Sequence, residues 1–437
     1  RNRIRHSRVP SGRAERFVRL GWLAGEMALG GAAEGLRRLG GAAPSAGHAL
    51  LTGANARRLT RRLSSMRGAA MKVGQLLSME AGDYLPREFS DVLANLRDSA
   101  HAMPMLQLAK QLEGAWGPDW TDQFERFFFQ PIASASIGQV HKAVDRDGRT
   151  LAIKVQYPGI RESIDSDVDN VAALLTMFRL IPEPELLQPL LDEAKRQLHE
   201  EADYLLEANH IQAYHRHLNG LPGFRLPNVQ QGLNRTNVLV MEHLDGGPID
   251  MLATQGVNLR NTIARRLVDL SLREIFDWGL VQTDANFSNF LFLEDSGDIG
   301  LLDFGATRRY SKDTCEQLRR LMAAAIRRDR AALADAAEAV GYIGESDADA
   351  YRATTLDLLE IAAEPARADR DYDFGASNLA RRMSEHVLQL RLENRMWRMP
   401  PPEILFLHRK LGGIYMACAR LRARVDVHRL VQPYLST

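Results

Sequence analysis

Asp284-Ala-Asn-Phe-Ser-Asn289 sets a carboxylate and a carboxamide five positions apart, and Asp303-Phe304-Gly305 begins nineteen residues after Asp284, behind the apolar run Ile299 to Leu302. Oxygen donors in this order suit phosphoryl transfer: the first Asp orients an attacking hydroxyl or water, while Asn289 and Asp303 bind the Mg2+ that bridges the phosphates. Leu151-Ala-Ile-Lys154 adds an ammonium on an alternating apolar segment, where such chemistry places its phosphate-binding lysine. The acid that pairs with Lys154 is expected in the charged stretch after Asp192, with Glu207 preferred to Glu200 and Glu201. Of 56 basic residues only seven are Lys, so a retained Lys marks a place that needs a compact ammonium, and Lys72 and Lys154 stand out. His141, His199 and His408 have no second His or paired acid at metal-ligand spacing and read as structural.

The elements that must hold these groups are legible in outline. Ala56 to Glu80 carries Leu59, Leu63, Met66, Ala70, Val73, Leu76 and Leu77 at three- and four-residue steps, a helical period that puts Lys72 and Gln75 on one face. A second helical pattern runs from Phe89 to Gln111 and is interrupted by Pro104. From Pro131 small residues lead into an alternating segment, a turn at Asp145 to Arg149, and a second strand through Leu151 to Val155, which reads as a hairpin. Trp116, Trp120 and Phe127 to Phe129 are expected to pack before it. Asp192 to Leu218 reads as one long charged helix, on which Glu201 and Glu207 would point about 120° apart. Asn237 to Met241 is a short strand ending at a hinge near residue 243, and almost everything beyond it is helical, apart from two short segments around Val281 to Asn289 and Ile299 to Asp303. The layout is bilobal, with a strand-rich smaller lobe and a helical larger one.

With 437 residues, two domains or one large bilobal domain are expected. A net charge of +1 gives no global field favouring nucleic acid, and two distant cysteines exclude a disulfide framework or a thiolate metal site. No apolar run is long enough to span a membrane. The first 19 residues, however, hold seven Arg against one Glu, followed by a glycine-spaced apolar stretch, which suggests an element lying on an anionic membrane surface.

Met71-Lys72-Val-Gly-Gln75, Ala133-Ser-Ala-Ser-Ile-Gly-Gln-Val-His141, Glu201-Ala-Asp203-Tyr204, Gln282 through Asn289 and His408-Arg-Lys-Leu-Gly-Gly413 together resemble the UbiB family of atypical kinase-like proteins, over about residues 56 to 425. The loop and tail look closest to its mitochondrial coenzyme Q branch and bacterial relatives, with Ala285 where proline is usual. The resemblance implies an α+β, bilobal protein-kinase-like fold with a family-specific N-terminal helical extension. It divides the chain into a basic N-terminal segment (1–55), an extension over the active site (56–130), an N-lobe (131–243) and a C-lobe (244–437). It implies that Lys72 and Gln75 pair with Glu201 and Asp203, and that nucleotide meets Ala133, Ser134, Ala135, Ser136, Lys154 and the hinge residues Glu242, His243 and Leu244. Cβ atoms in the Ala133 to Ser136 loop, where kinases use glycine, should alter the nucleotide pose and restrain transfer.

The expected activity is thus a Mg2+-dependent atypical kinase-like ATPase, using ATP and Mg2+, that supports ubiquinone biosynthesis. Expected partners are ATP or ADP, a lipid or polyprenyl-phenol-like intermediate, an anionic membrane surface and ubiquinone-biosynthesis enzymes. The expected location is peripheral, at a bacterial inner membrane, or mitochondrial in a eukaryote. Competing readings are a nucleotide-gated scaffold with little turnover and a small-molecule kinase. A protein kinase is disfavoured, because Ala306 to Tyr310 leads almost directly into a helical pattern from Asp313 and leaves no peptide platform.

Overall fold

A computed structural model describes Gly68, Ala69, Lys72 and Val73 together with residues 103–177, 184–393 and 400–435. The chain divides into two compact units: residues 1–209 with 228–243, and residues 210–227 with 244–437. The last of the three breaks falls between His243 and Leu244, beside the hinge expected near residue 243.

In the first unit an antiparallel sheet has the order β1 (Phe124–Ser134), β2 (Gly138–Asp145), β3 (Thr150–Gln156), β5 (Val238–Glu242). Strand β3 is buried on both faces, which follows from period-2 side-chain placement. Leu151, Ile153 and Val155 join a core with Leu108 and Leu112 of helix α1 (Met105–Trp116). The alternate residues Ala152, Lys154 and Gln156 fall on the opposite face. Pro104 stands just before α1, where its missing N–H costs nothing. The Trp116, Trp120, Phe124 and Phe127 rings pack edge to face or tilted beneath the sheet. The phenylalanine run is itself a strand: β1 begins at Phe124 and passes through residue 131, where the smaller lobe was expected to start. The hairpin is therefore a three-stranded meander.

Two further helices, α2 (Ile160–Met177) and α3 (Pro184–Glu201), precede α4 (Tyr204–Leu218). The single helix expected from Asp192 to Leu218 is broken at Ala202 and Asp203. There the Ala202 carbonyl accepts from Gln156 Nε2 at 2.8 Å and the Tyr204 N–H donates to Thr236 at 3.0 Å, so both leave the helical ladder. Asp203 then caps α4, its Oδ1 accepting the Leu205 N–H at 3.0 Å. Glu201 and Glu207 thus stand on different helices, and the angle expected from a regular helix does not apply. Through Asn209 helix α4 belongs to the first unit, and from His210 to the second.

In the second unit a mixed sheet has the order β4 (Phe224–Arg225), β9 (Asp298–Leu301), β8 (Phe290–Leu293), β6 (Gly247–Pro248), and β7 (Leu280–Gln282) pairs with β10 (Thr307–Arg309). Helix α5 (Val257–Arg273) ends in a π turn, Glu274–Trp278. Helices α6 (Lys312–Arg327), α7 (Arg330–Val340) and α8 (Asp349–Ala362) follow, then α9 (Glu364–Arg367), α10 (Leu379–Glu393), α11 (Pro402–Arg420) and α12 (Val427–Val431). Ser311 and Asp329 cap α6 and α7 through side-chain oxygens. Leu321, Ala324 and Ala325 of α6 pack with Leu333, Ala336 and Ala337 of α7 and with Ile404 and Leu407 of α11. Among the described residues no helix is long and apolar enough to cross a membrane.

Candidate active site

In the first unit Lys154 is fixed by β3 between β2 and β5, opposite Val140 and Leu239. Its ammonium donates to both carboxylate oxygens of Glu207 at 2.9 Å, and the two residues are 8% and 2% exposed. The buried Tyr204 ring lies 5.1 Å from Lys154 Nζ. The expected partner is therefore the observed one. Gly138 makes the close packing here feasible: a Cβ would sit 2.3 Å from the Val155 carbonyl oxygen and 2.9 Å from the Tyr204 hydroxyl.

Ala133 and Ser134 close β1 opposite Val140 and Gln139, and the Ala135 N–H donates to the Gly138 carbonyl at 2.9 Å. Ser136 Oγ donates to Glu201 Oε2 at 3.0 Å, while Lys72 forms a short ion pair with the other oxygen of the same carboxylate. Glu201 thus ties the small-residue loop to the buried Lys72. Asp203 serves as the α4 cap, with its Oδ1 on backbone N–H groups. Gln75 lies outside the described residues. Glu242 accepts from the Asn228 amide at 2.7 Å, the His243 N–H donates to the Thr150 carbonyl at 3.0 Å, and Leu244 opens the second unit as a buried side chain.

In the second unit strand pairing brings the two loops together. β7 precedes Asp284 and β10 follows Gly305, and Gln282 pairs with Thr307. Beyond the loops β8 and β9 form a hairpin with Phe290 opposite Leu301. The chain between Gln282 and Thr307 is thereby folded back on itself, and Asn289 comes beside Leu302, whose N–H it accepts at 3.1 Å. Gln282 Nε2 donates to the carbonyls of both Asp284 (2.8 Å) and Asp303 (3.0 Å). Asn289 Nδ2 also donates to the Asp284 carbonyl at 2.8 Å, and Asp303 Oδ1 accepts the Gly305 N–H at 3.0 Å. Phe304 is 1% exposed, edge-on to Tyr214 at 4.7 Å, and its carbonyl meets His210 Nδ1 at 3.2 Å.

Two cations in this unit escaped the sequence reading as site residues. Arg409 on α11 donates to Asp284 Oδ1 at 2.6 Å. Next to it, Lys410 lies 2.5 Å from Glu274 Oε2, both 1% exposed. Glu274 also accepts from the Tyr214 hydroxyl at 2.7 Å, and that hydroxyl accepts the Gln282 N–H at 2.7 Å. Burial and the Glu274 charge push the Tyr214 phenol well above its usual range. The rarity of Lys was a signal that would have reached Lys410, whereas Arg409 was noted only as part of the His408 to Gly413 motif, with no role attached.

The histidines are satisfied as expected, by partners of varied kind. His141 meets Gln139 Nε2 at 2.8 Å and the Phe128 carbonyl at 3.0 Å, and His408 meets the Tyr342 hydroxyl at 2.5 Å. His199 does have an acid, Asp165 at 2.9 Å, brought from α2 and invisible to local spacing.

Residues 95–337 match the ABC1 atypical kinase-like domain. The chain is 37% identical over 434 residues to the rat protein named atypical kinase COQ8B, mitochondrial, covering 99% of this chain and 82% of that protein. It is 34% identical over 431 residues to the Saccharomyces cerevisiae atypical kinase COQ8, mitochondrial, covering 98% and 85%. Among solved structures, Rv3197 of Mycobacterium tuberculosis, determined as a complex with erythromycin, aligns with a TM-score of 0.60 and 25% identity over 87% of this chain and 97% of that one. The matched domain contains the Lys154–Glu207 pair and both loops of the second unit, so likeness and local geometry agree: the chain is an atypical kinase-like protein and belongs to the ABC1 atypical kinase-like family.

Proposed function

We propose that this protein binds Mg2+-ATP and transfers or hydrolyses its terminal phosphoryl group in support of ubiquinone biosynthesis at a membrane, without acting as a protein kinase. The buried, doubly hydrogen-bonded Lys154–Glu207 pair carries this reading. Such a pair is costly to desolvate, and an ammonium held this way is poised to meet phosphate oxygens. The donor set of the second unit fits the metal. Mg2+ takes oxygen ligands and is held by one or two carboxylates plus substrate phosphates rather than by a closed protein cage. Asp303 and Asn289 offer one carboxylate and one amide oxygen from loops joined by the Leu302 N–H to Asn289 carbonyl bond, and among the described residues no cluster of three His, Cys, Asp or Glu forms a cage. When bound, Mg2+ would neutralise charge on the phosphates. Asp284, with its carbonyl fixed by Gln282 and Asn289, orients the attacking hydroxyl or water.

The short link from Gly305 through β10 to α6 supports a small acceptor or water over a peptide. The tie of Ser136 and Lys72 to Glu201 supports a restrained nucleotide loop. The names of the relatives support a role in coenzyme Q synthesis and a mitochondrial or related membrane setting. Lipid intermediates and partner enzymes belong to the same proposal. The deciding experiment is thermal stabilisation by Mg2+-ATP. It should be present in the parent protein and lost in Asp303→Asn, and unchanged stabilisation in that variant would remove the assignment.

A further inference from the structure

We propose that Arg409, reaching from α11, is the cation that meets the transferred phosphoryl group beside Asp284. The inference rests on the reading of Asp284 given above. In phosphoryl transfer, negative charge spreads over the three equatorial oxygens of the moving group and needs preorganised positive charge at that point. Between Asp284 and Asn289 the loop carries Ala285, Asn286, Phe287 and Ser288, none of them cationic. Arg409 fills the gap from 125 residues away, its Nη2 2.6 Å from Asp284 Oδ1. A guanidinium has five N–H donors in a planar fork, so one on Asp284 leaves others to meet phosphate oxygens.

The helix that carries Arg409 is held at two neighbouring points, one on the π turn after α5 and one on the loop itself. Lys410 is buried on Glu274, and Gly413 lies so close to Ala285 that a Cβ there would sit 2.7 Å from the Ala285 carbonyl oxygen. Loop and cation therefore keep a fixed relation, as charge stabilisation requires. Two nearby arginines have other partners: Arg308 stacks 3.9 Å over the Phe406 ring, and Arg420 pairs with Asp250 at 3.0 Å and lies 5.2 Å over the Phe287 ring of the loop, without an ion pair to Asp284. In the step itself a bond forms between the attacking oxygen and the terminal phosphorus. The bond to the bridging oxygen breaks, and ADP leaves with the electron pair. The attacking group's proton passes to Asp284, and Arg409 remains charged throughout.

The test uses the full chain and four variants, Arg409→Ala, Arg409→Gln, Arg409→Lys and Asp303→Asn. Titration with Mg2+-ADP and with the Mg2+ complex of the β,γ-imido analogue of ATP measures binding without turnover. Arg409→Ala and Arg409→Gln should bind Mg2+-ADP within about twofold of the parent and lose about tenfold in affinity for the analogue, which alone presents a terminal phosphoryl group. Their kcat should fall on the order of 10³-fold with KM little changed. Arg409→Lys should lie between, and added guanidinium should partly restore Arg409→Ala. Equal losses for both nucleotides, unchanged turnover, or faster hydrolysis would each overturn the role of Arg409. Retention of Mg2+-ADP binding by Asp303→Asn would instead remove the underlying site assignment, and the inference with it.

Discussion

Lys410 and Glu274 form an ion pair from which water is almost wholly excluded, and such pairs are felt when one member is removed. Lys410→Met should lower unfolding free energy by about 3–5 kcal/mol, because it strands the Glu274 carboxylate. Adding Glu274→Gln should recover part of that loss in urea denaturation. An additive double variant would mean that the two side chains do not sense each other. The same logic applies to Lys154 and Glu207, but with a functional readout: Glu207→Gln should weaken Mg2+-ATP binding as Lys154→Met does, and the double variant should be little worse than either single one. At this scale much was readable from sequence. Lys154, Asp284, Asn289 and Asp303 sit in short motifs whose spacing reflects one strand or one loop. Glu207 was preferred among the acids of the charged stretch after Asp192, although two helices, α2 and α3, separate it from β3. Arg409 could not be found this way, since its partner is set by the packing of α11 on a loop far away in the chain.

Local periodicity located the elements and misjudged two of their ends. The helix expected through Asp192 to Leu218 keeps a helical pattern across Ala202 and Asp203, and the break arises from hydrogen bonds to Gln156 and Thr236, which no local pattern encodes. The aromatic run before residue 131 was expected only to pack ahead of the hairpin; its rings do pack, and its backbone also supplies the edge strand β1. Within this sheet the buried His141 ring offers a pH test. Burial holds its pKa below the ordinary 6.5, opposed by the bond to the Phe128 carbonyl. The sign follows from proton linkage: below pH 6.5 the unfolded chain takes up a proton that the folded chain refuses, so stability falls as pH drops. The contribution is at most about 1.4 kcal/mol per pH unit. Urea unfolding at several pH values between neutrality and mild acid should therefore give a shallower pH dependence for His141→Gln than for the parent protein. Equal slopes would show that the ring titrates normally when folded.

For the molecule as a whole, the bilobal α+β plan was legible because the periodicity changes from strand-rich to helical along the chain. The assignment of residues 210–227 to the second unit was not, since α4 continues unbroken from one unit to the other. The basic N-terminal segment lies outside the described residues, and its proposed membrane role stands on its charge. Deleting residues 1–40 should abolish co-sedimentation with anionic vesicles, and sedimentation of the full chain should weaken with salt, while basal ATP hydrolysis persists. Full retention of vesicle binding by the truncated chain would refute the role. The short β10 link has a consequence for control. Signalling kinases are commonly switched by a phosphate placed on a mobile segment after the Asp-Phe-Gly loop. Here Thr307 is buried within β10, the Tyr310 hydroxyl donates to the Glu403 carbonyl at 2.8 Å, and the exposed Ser311 spends its hydroxyl on the α6 cap. The expected control is through the concentrations of what the protein binds rather than through this link, so phosphatase treatment of material from its native cell should leave its turnover unchanged, and a change in turnover would overturn that expectation.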